Sequence, residues 1–155
     1  MNSFFGVLLT LSGLLPFSLP NMTTQTQYNS EDHKGAVLVV EAFFYGCHYC
    51  HANSNNVHEL AEQYRGNDKV QVMDVGIDRR NDYYAAWVRQ HGCTHPVLKD
   101  DRKELIGKLG THSYPSTYVI NCRGELVAET SGVWDRGIKT RLKRAIDSAL
   151  AVSCP

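Results

Sequence analysis

Two cysteines separated by two residues, Cys47 and Cys50, are the side chains of this 155-residue chain best suited to covalent chemistry. They follow an apolar, strand-like run over residues 37–44 and precede a segment with helical periodicity. The first turn of a helix has unpaired N–H groups and the positive end of the helix dipole, which stabilise a thiolate and lower its pKa. This placement predicts a redox pair in which Cys47 is the attacking thiol and Cys50 is the resolving thiol.

The segment from Cys47 to His51 also has the C-x-x-C-H pattern to which c-type haem is attached. The strand-like run before the motif favours the redox interpretation over haem attachment, because a redox pair of this kind follows a strand. A zinc site formed by the two cysteines with His51 and His58 is a second alternative, although structural zinc usually has a second cluster of paired ligands. A third alternative is that the cysteines are buried and simply pack as small apolar residues.

The order of predicted elements indicates an α/β fold. Apolar residues alternate with the period of strands in some segments and of helices in others. The predicted strands are residues 37–44, 70–77, 94–98, 117–120 and 125–131, and the predicted helices run from the cysteines to Gly66, from an Asn81 or Asp82 cap to Gly92, over 105–109 and over 135–151. This order predicts a parallel sheet completed by antiparallel strands, with helices on both faces.

The composition is that of one ordinary globular domain. Hydrophobic residues make up 43% of the chain and the net charge is zero, with 16 basic and 16 acidic residues. A chain with this charge balance lacks the basic surface of a nucleic-acid-binding protein. We therefore expect no nucleic-acid partner.

The first 15 residues are more apolar than the rest of the chain. Residues 4–15 are long enough for the core of a signal peptide and too short for a membrane span. We interpret residues 1–15 as a possible signal peptide, followed by one domain over residues 16–155. Five cysteines also favour an extracytoplasmic location, with the cytoplasm as the alternative. The alternative for this region is a packed strand over residues 14–19.

Three features together resemble the thioredoxin superfamily, and within it the extracytoplasmic TlpA/ResA-like branch. The first is the cysteine pair at a strand–helix junction, and the second is the sequence from Tyr114 to Thr117, which resembles the cis-proline loop of that family. The third is Glu41, which lies six residues before Cys47, where the family has a buried acid. The resemblance implies a thioredoxin-like mixed sheet with helices on both faces and an extra strand and helix over residues 94–109, before the cis-proline loop.

The resemblance also implies the chemistry, a thiol–disulfide oxidoreductase that acts on protein thiols or disulfides and is recharged by a separate redox partner. Desolvation on a strand covered on both faces would raise the pKa of Glu41, so we expect it to exchange a proton with Cys50. A cis Pro115 would present the backbone of Tyr114 to an extended peptide. We expect partner contacts from Tyr114, Pro115, Ser116, His48 and Tyr49, and no metal or organic cofactor is needed.

The direction of electron flow stays open at this point. Tyr45 and Gly46 stand before the first cysteine, where thioredoxins commonly have a tryptophan, and the residues between the cysteines are His48 and Tyr49. Since residues between the cysteines tune thiolate stability, a disulfide oxidase or isomerase is an alternative to a reductase. A thioredoxin-fold binding module without catalysis is a further alternative.

Three cysteines lie outside the motif. Cys122 is in the predicted hairpin turn and Cys154 follows the last predicted helix. The strand after Cys122 would extend about 23 Å and the helix before Cys154 about 25 Å, so that their far ends should meet. We therefore predict a structural Cys122–Cys154 disulfide if the protein is exported. Cys93 would be the remaining thiol, in the core of its short strand.

Overall fold

The structure is a computed structural model that describes residues 13–154. It has seven strands, four α-helices and one short 3-10 helix in this part of the chain. The strands are β1 Ser18–Asn21, β2 Thr26–Asn29, β3 Val37–Phe43, β4 Val70–Gly76, β5 Val97–Lys99, β6 Ser116–Ile120 and β7 Leu126–Ser131, and the 3-10 helix is Ser30–His33. The helices are α1 His48–Gln63, α2 Asn81–His91, α3 Glu104–Lys108 and α4 Arg136–Leu150.

The strands form one mixed sheet in the order β2-β1-β5-β4-β3-β6-β7. Strand β4 pairs in parallel with β3 and β5, and β6 pairs antiparallel with β3. Helices α1 and α4 pack on one face of the sheet, and α3 packs on the other face. The predicted α/β class with helices on both faces is therefore confirmed.

Strand β3 lies in the middle of the sheet because both of its faces are apolar. All seven of its residues are buried, and alternate side chains enter the cores on the two faces of the sheet. Glu41 is the only charged residue of this strand. The strand ends at Phe43, and the short loop after it leads directly into α1 at the cysteine motif.

Two predicted boundaries near α2 differ from the structure. The short strand β5 begins at Val97 and not at Thr94, because Pro96 has no N–H to donate to a sheet and restricts the residue before it. The prediction that Cys93 lies in this strand was wrong, since Cys93 is in the loop before it. Helix α2 begins at Asn81 without a side-chain cap, so the predicted cap was also wrong, whereas Gly92 ends this helix with a φ of 58° as predicted.

The N-terminal part of the described chain packs on the sheet. Leu14 and Leu15 are partly buried against the core, and Leu19 of β1 is buried in it. Most of the predicted signal-peptide core lies outside the described residues, so the boundary at residue 15 stays a prediction. No helix within residues 13–154 has the length and apolar character needed to cross a membrane.

Candidate active site

Cys47 is the N-cap residue of α1, and Cys50 lies in the first turn of the same helix. The two residues form a disulfide, with their Cα atoms 5.2 Å apart. The backbone N–H of Cys50 donates to Cys47 Sγ at 3.1 Å. One of the free amide groups of the helix N-terminus is thus directed at the sulfur that was predicted to become the thiolate.

Both cysteines are buried in this oxidised state. Cys47 is 6% exposed and Cys50 is 2% exposed, so the two side chains differ little in solvent access. Phe43, at the end of β3, and Trp87, in α2, belong to the same buried cluster as the pair. The residues between the cysteines are exposed, and Tyr49, at 64%, is among the most exposed large apolar side chains of the described chain.

His51 connects the start of α1 to α2. Its Nε2 donates to the carbonyl of Tyr45 at 2.6 Å, and its Nδ1 is 2.7 Å from Nε2 of His91. The other ring nitrogen of His91 is 2.9 Å from Ser54 Oγ. The pKa of His91 is lowered mainly by burial and also by the neighbouring His51. Both ring nitrogens of His51 are held by the protein, which disfavours His51 as a ligand of haem or zinc in this motif.

Glu41 is 3% exposed and sits in a closed hydrogen-bond network. Asn53 Nδ2 donates to one carboxyl oxygen at 2.7 Å, and the Thr117 hydroxyl donates to the other at 2.5 Å. The indole N–H of Trp134 donates to Thr117 Oγ1 at 2.8 Å, and its backbone N–H donates to Asn53 Oδ1 at 2.9 Å. Four segments, β3, α1, β6 and the loop before α4, therefore meet at this carboxyl group.

Burial is the main influence on the acidity of Glu41. It raises the pKa of this carboxyl from 4.5 to about 8, although the hydrogen bonds from Thr117 and Asn53 lower it, and the nearby Asp74 adds a smaller increase. Asn53 and Cys50 are three residues apart and share one face of α1. The network therefore places a carboxyl group with a raised pKa on the side of α1 that carries Cys50.

The sequence predicted the role of Glu41 but not its network with Asn53, Thr117 and Trp134. Asn53 was detectable, because it lies on the same helical stripe as Cys50 and Val57 and is polar where the stripe should be apolar. Thr117 was included only as part of the proline loop. Trp134 is 81 residues from Asn53 along the chain, and nothing in the local pattern near Trp134 indicates their contact.

The loop that contains Pro115 lies beside the cysteine pair. The Tyr114–Pro115 peptide bond is cis, and the ring of Tyr114 packs edge-on against Phe44 with centroids 5.5 Å apart. The loop is fixed from behind, since Gly132 N donates to the Pro115 carbonyl at 2.9 Å and Ser116 Oγ donates to the Ser113 carbonyl at 2.7 Å. In the described chain, none of the backbone hydrogen bonds outside the regular elements involves the amide or carbonyl of Tyr114.

The other three cysteines are Cys122, Cys154 and Cys93. Cys122 and Cys154 form a disulfide across 32 residues, with Cα atoms 5.8 Å apart. It ties the β6–β7 turn to the end of α4, as the lengths of these elements suggested. Cys93 is the one free cysteine of the five and is buried.

The family follows from comparison with known proteins. Residues 14–129 match the AhpC/TSA family, which is well over half of the chain. The chain belongs to the AhpC/TSA family. The comparison with curated proteins found no match to this chain.

Solved structures show the fold of this AhpC/TSA protein to be thioredoxin-like. A candidate thiol:disulfide interchange protein DsbE from Chlorobium tepidum has 19% identity and a TM-score of 0.77, over 90% of this chain and 96% of that chain. A candidate thioredoxin from Neisseria meningitidis has 26% identity and a TM-score of 0.75, over 92% and 93%. The pneumococcal exposed lipoprotein thioredoxin of Streptococcus pneumoniae has 22% identity and a TM-score of 0.69, over 84% and 98%. These neighbours and the Cys47–Cys50 pair support oxidoreductase activity.

Proposed function

We propose that this protein reduces disulfides of partner proteins, with Cys47 as nucleophile, Cys50 as resolving thiol and Glu41 as proton acceptor. The observation that carries this proposal is the position of the pair at the first turn of α1, where the Cys50 N–H donates to Cys47 Sγ. A thiolate at this position is stabilised by the helix N-terminus and attacks a disulfide directly. The family and the structural neighbours support the same chemistry.

The first step is an exchange between sulfurs. The Cys47 thiolate attacks one sulfur of the partner disulfide, the partner S–S bond breaks, and a Cys47–partner mixed disulfide forms. The displaced partner sulfur leaves as a thiolate and takes a proton from solvent.

The second step needs a base for Cys50. Cys50 is buried, and burial favours the neutral thiol over the thiolate. The Glu41 carboxylate, held in place by Asn53, accepts this proton through water, and the resulting thiolate attacks Cys47 Sγ. The second partner thiolate is released and takes a proton from solvent, so that the partner has gained two electrons and the Cys47–Cys50 pair has become a disulfide.

Limited stabilisation of the Cys47 sulfur supports the reductive direction. Within residues 13–154, the Cys50 N–H is the one hydrogen-bond donor to Cys47 Sγ. Strong oxidants such as DsbA have a much more stable thiolate and a reduction potential of about −120 mV, whereas that of thioredoxin is about −270 mV. We expect a potential near the thioredoxin value, and a value near that of DsbA would instead favour the oxidase or isomerase alternative.

Partner proteins are expected to bind across the exposed surface around the pair. The free backbone groups of Tyr114 offer main-chain hydrogen bonds to an extended peptide beside Pro115 and Ser116. His48 and Tyr49, between the two cysteines, are exposed and would supply side-chain contacts. This arrangement suits a segment of backbone around a cysteine and makes few demands on its sequence.

We place this activity outside the cytoplasm. The exposed lipoprotein thioredoxin of Streptococcus pneumoniae shares the fold, and disulfides such as Cys122–Cys154 persist in oxidising compartments. A reductase in such a compartment needs a separate thiol donor to recharge the pair after each turnover. We therefore expect two kinds of protein partner, a disulfide substrate and a reductant.

Mixed-disulfide trapping tests the proposed roles. Reduced Cys50→Ser protein, mixed with a disulfide-bonded model protein, should accumulate a covalent complex because no resolving thiol remains. Matched Cys47→Ser protein should form little complex, because it lacks the N-cap sulfur that accepts a helix N–H and keeps only Cys50. Equal trapping by both variants, or by neither, would contradict the assignment.

A further inference from the structure

A second group of chemically reactive side chains lies away from the redox pair, between β4 and the loop that joins α2 to β5. Asp74 comes from β4, and Cys93 and His95 come from the loop. One potential ligand atom from each residue lies within 4.8 Å of the others. The three residues are 1%, 7% and 7% exposed.

The hydrogen bonds of this cluster leave polar atoms without partners. Asp74 Oδ2 accepts from Trp87 Nε1 at 3.2 Å and lies 2.8 Å from His95 Nε2. Within residues 13–154, Asp74 Oδ1 and His95 Nδ1 are buried without any hydrogen-bond partner. A buried polar atom without a hydrogen-bond partner lowers the stability of the folded protein, so a ligand that engages it would be stabilising.

We propose that Asp74, Cys93 and His95 bind a divalent transition metal ion of the zinc type. A thiolate, a carboxylate and an imidazole together form a donor set for borderline metals, whereas Mg²⁺ and Ca²⁺ prefer oxygen ligands alone. The two negative charges of the thiolate and carboxylate balance the charge of the ion, which suits a site with little solvent. Asp74 would bind through Oδ1 and keep the Trp87 hydrogen bond on Oδ2.

His58 is a candidate for the fourth ligand, although it lies further from the other three residues than they lie from one another. His58 of α1 has a ring centroid 6.3 Å from that of His95, and its Nδ1 is buried without a partner in the described part of the chain. Together with the other three residues it would complete the four-coordinate arrangement typical of structural zinc. His95 also lines a cleft of about 370 Å³ beside the end of α1, and it is the one proposed ligand that does so.

Metal binding at this site is an acid–base reaction without electron transfer. Cys93 binds as a thiolate, so its S–H bond breaks and the proton leaves to solvent as the metal–sulfur bond forms. The Cys47–Cys50 disulfide stays intact and is not a ligand. The site would therefore stabilise the packing of α1 and α2 against β4 in the oxidised protein, independently of thiol exchange.

Cobalt binding to the oxidised protein tests this proposal. When both disulfides are formed, Cys93 is the one free thiol among the five cysteines. Co²⁺ should therefore bind with 1:1 stoichiometry and give a sulfur-to-cobalt charge-transfer band, which Zn²⁺ removes by competition. Zn²⁺ should also raise the Tm of the oxidised protein. Absence of the sulfur-to-cobalt band in the wild-type protein would overturn the proposal without any variant.

Two variants and a control identify the ligands. Cys93→Ser and His95→Gln should each weaken Co²⁺ binding by at least about 100-fold, more than the loss typical of residues that only support a ligand. Each should also lose the Tm increase with Zn²⁺, while the Tm without metal shows whether the variant still folds. His112→Gln changes an exposed histidine elsewhere and should bind as the wild type does. Wild-type affinity in folded Cys93→Ser or His95→Gln protein would overturn the proposed site.

Discussion

Glu41 illustrates how much at this site depends on a single buried side chain. A carboxyl group in the centre of a sheet is expensive to ionise, and its two oxygens already accept hydrogen bonds from Asn53 and Thr117. The outcome of these opposing influences is a pKa of about 8. At neutral pH the group is therefore present in both protonation states, which is the condition for efficient proton transfer.

Replacing Glu41 with glutamine should change the pH dependence of disulfide reduction. In the wild type, the rate should rise with pH through about 8, because the carboxylate is the form that accepts the Cys50 proton. Glu41→Gln should lose this rise and react about 100-fold more slowly, the lower end of general acid–base effects. The rate of reduction of a model protein disulfide, followed as a function of pH, checks this expectation. Glu59→Gln, at an exposed position of α1, is the control and should keep the wild-type profile.

The same group should make the protein less stable as pH rises. Between pH 4.5 and about 8 the unfolded chain has released the Glu41 proton while the folded chain still holds it. The contribution of Glu41 to the free energy of unfolding is complete below 4.5 and should fall by about 1.4 kcal/mol per pH unit within this window. Denaturant unfolding at several pH values should show a flatter dependence for Glu41→Gln. Identical slopes in the two proteins would contradict the raised pKa.

At this scale the sequence revealed the residues whose chemistry is visible in their type. Cys47, Cys50 and Glu41 were predicted from their positions around a strand–helix junction. Trp134 could not be predicted, because its contacts with Asn53 and Thr117 arise only when the loop before α4 closes over the sheet. Long-range hydrogen bonds of this kind leave no periodic signal in the sequence.

At the scale of elements, helix α4 is fixed along its length and at both of its ends. Its apolar stripe packs over β3 and β6, and its N-terminus is capped by Asp135, whose side chain accepts from Ile138 N at 2.8 Å. At its other end the Cys122–Cys154 disulfide connects it to the β6–β7 turn. Because Trp134 precedes this helix directly, the position of α4 also fixes the network around Glu41.

Removing the second disulfide should lower stability without changing the chemistry. The closed loop spans 32 residues, for which chain entropy predicts a loss of about 3–4 kcal/mol in the double variant Cys122→Ser/Cys154→Ser. Disulfide reduction by Cys47 should be unchanged under conditions where the variant is folded. Urea unfolding together with the reduction assay measures both quantities. A stability equal to that of the wild type would show that this pair does not restrict the unfolded chain as a disulfide should.

The apolar face of α4 can be tested against its own exposed face. Ile146 is fully buried, and Ile146→Ala should lower the free energy of unfolding by about 2–5 kcal/mol because it leaves a cavity. Arg144→Ala on the exposed face of the same helix should change it by less than about 0.5 kcal/mol. Chemical denaturation of both variants provides the comparison. Similar losses in the two would mean that α4 does not pack as described.

Element boundaries were predictable wherever a glycine or a regular stripe marks them. Gly92 ends α2 as expected, and the stripes of α1 and α4 face the sheet. The start of β5 was misplaced because Pro96 overrides the apolar pattern there, and α2 starts without the expected cap. The hairpin of β1 and β2 at the sheet edge was only partly anticipated, since its polar residues carry little strand signal.

At the scale of the whole molecule, the sheet brings the cysteine pair, Glu41 and the proline loop into one region. Strand β3 supplies Glu41 and leads into the cysteine motif, and β6 follows directly after Pro115. The pairing of β3 with β6, which sets Glu41 opposite Thr117, joins these parts of the site. The α/β class came from periodicity, but this strand order could be expected only from the resemblance to thioredoxins, because pairing partners are not encoded locally.

The most direct test of the central claim is a redox titration of the wild-type protein in glutathione buffers, with the state of each cysteine read by mass spectrometry after alkylation. We expect Cys47 and Cys50 to pass together and reversibly between dithiol and disulfide in a single two-electron transition, with a potential nearer to about −270 mV than to about −120 mV. We also expect Cys47 to be alkylated first in the reduced protein. A pair that never forms a reversible disulfide, or a Cys47 no more reactive than Cys50, would contradict the account.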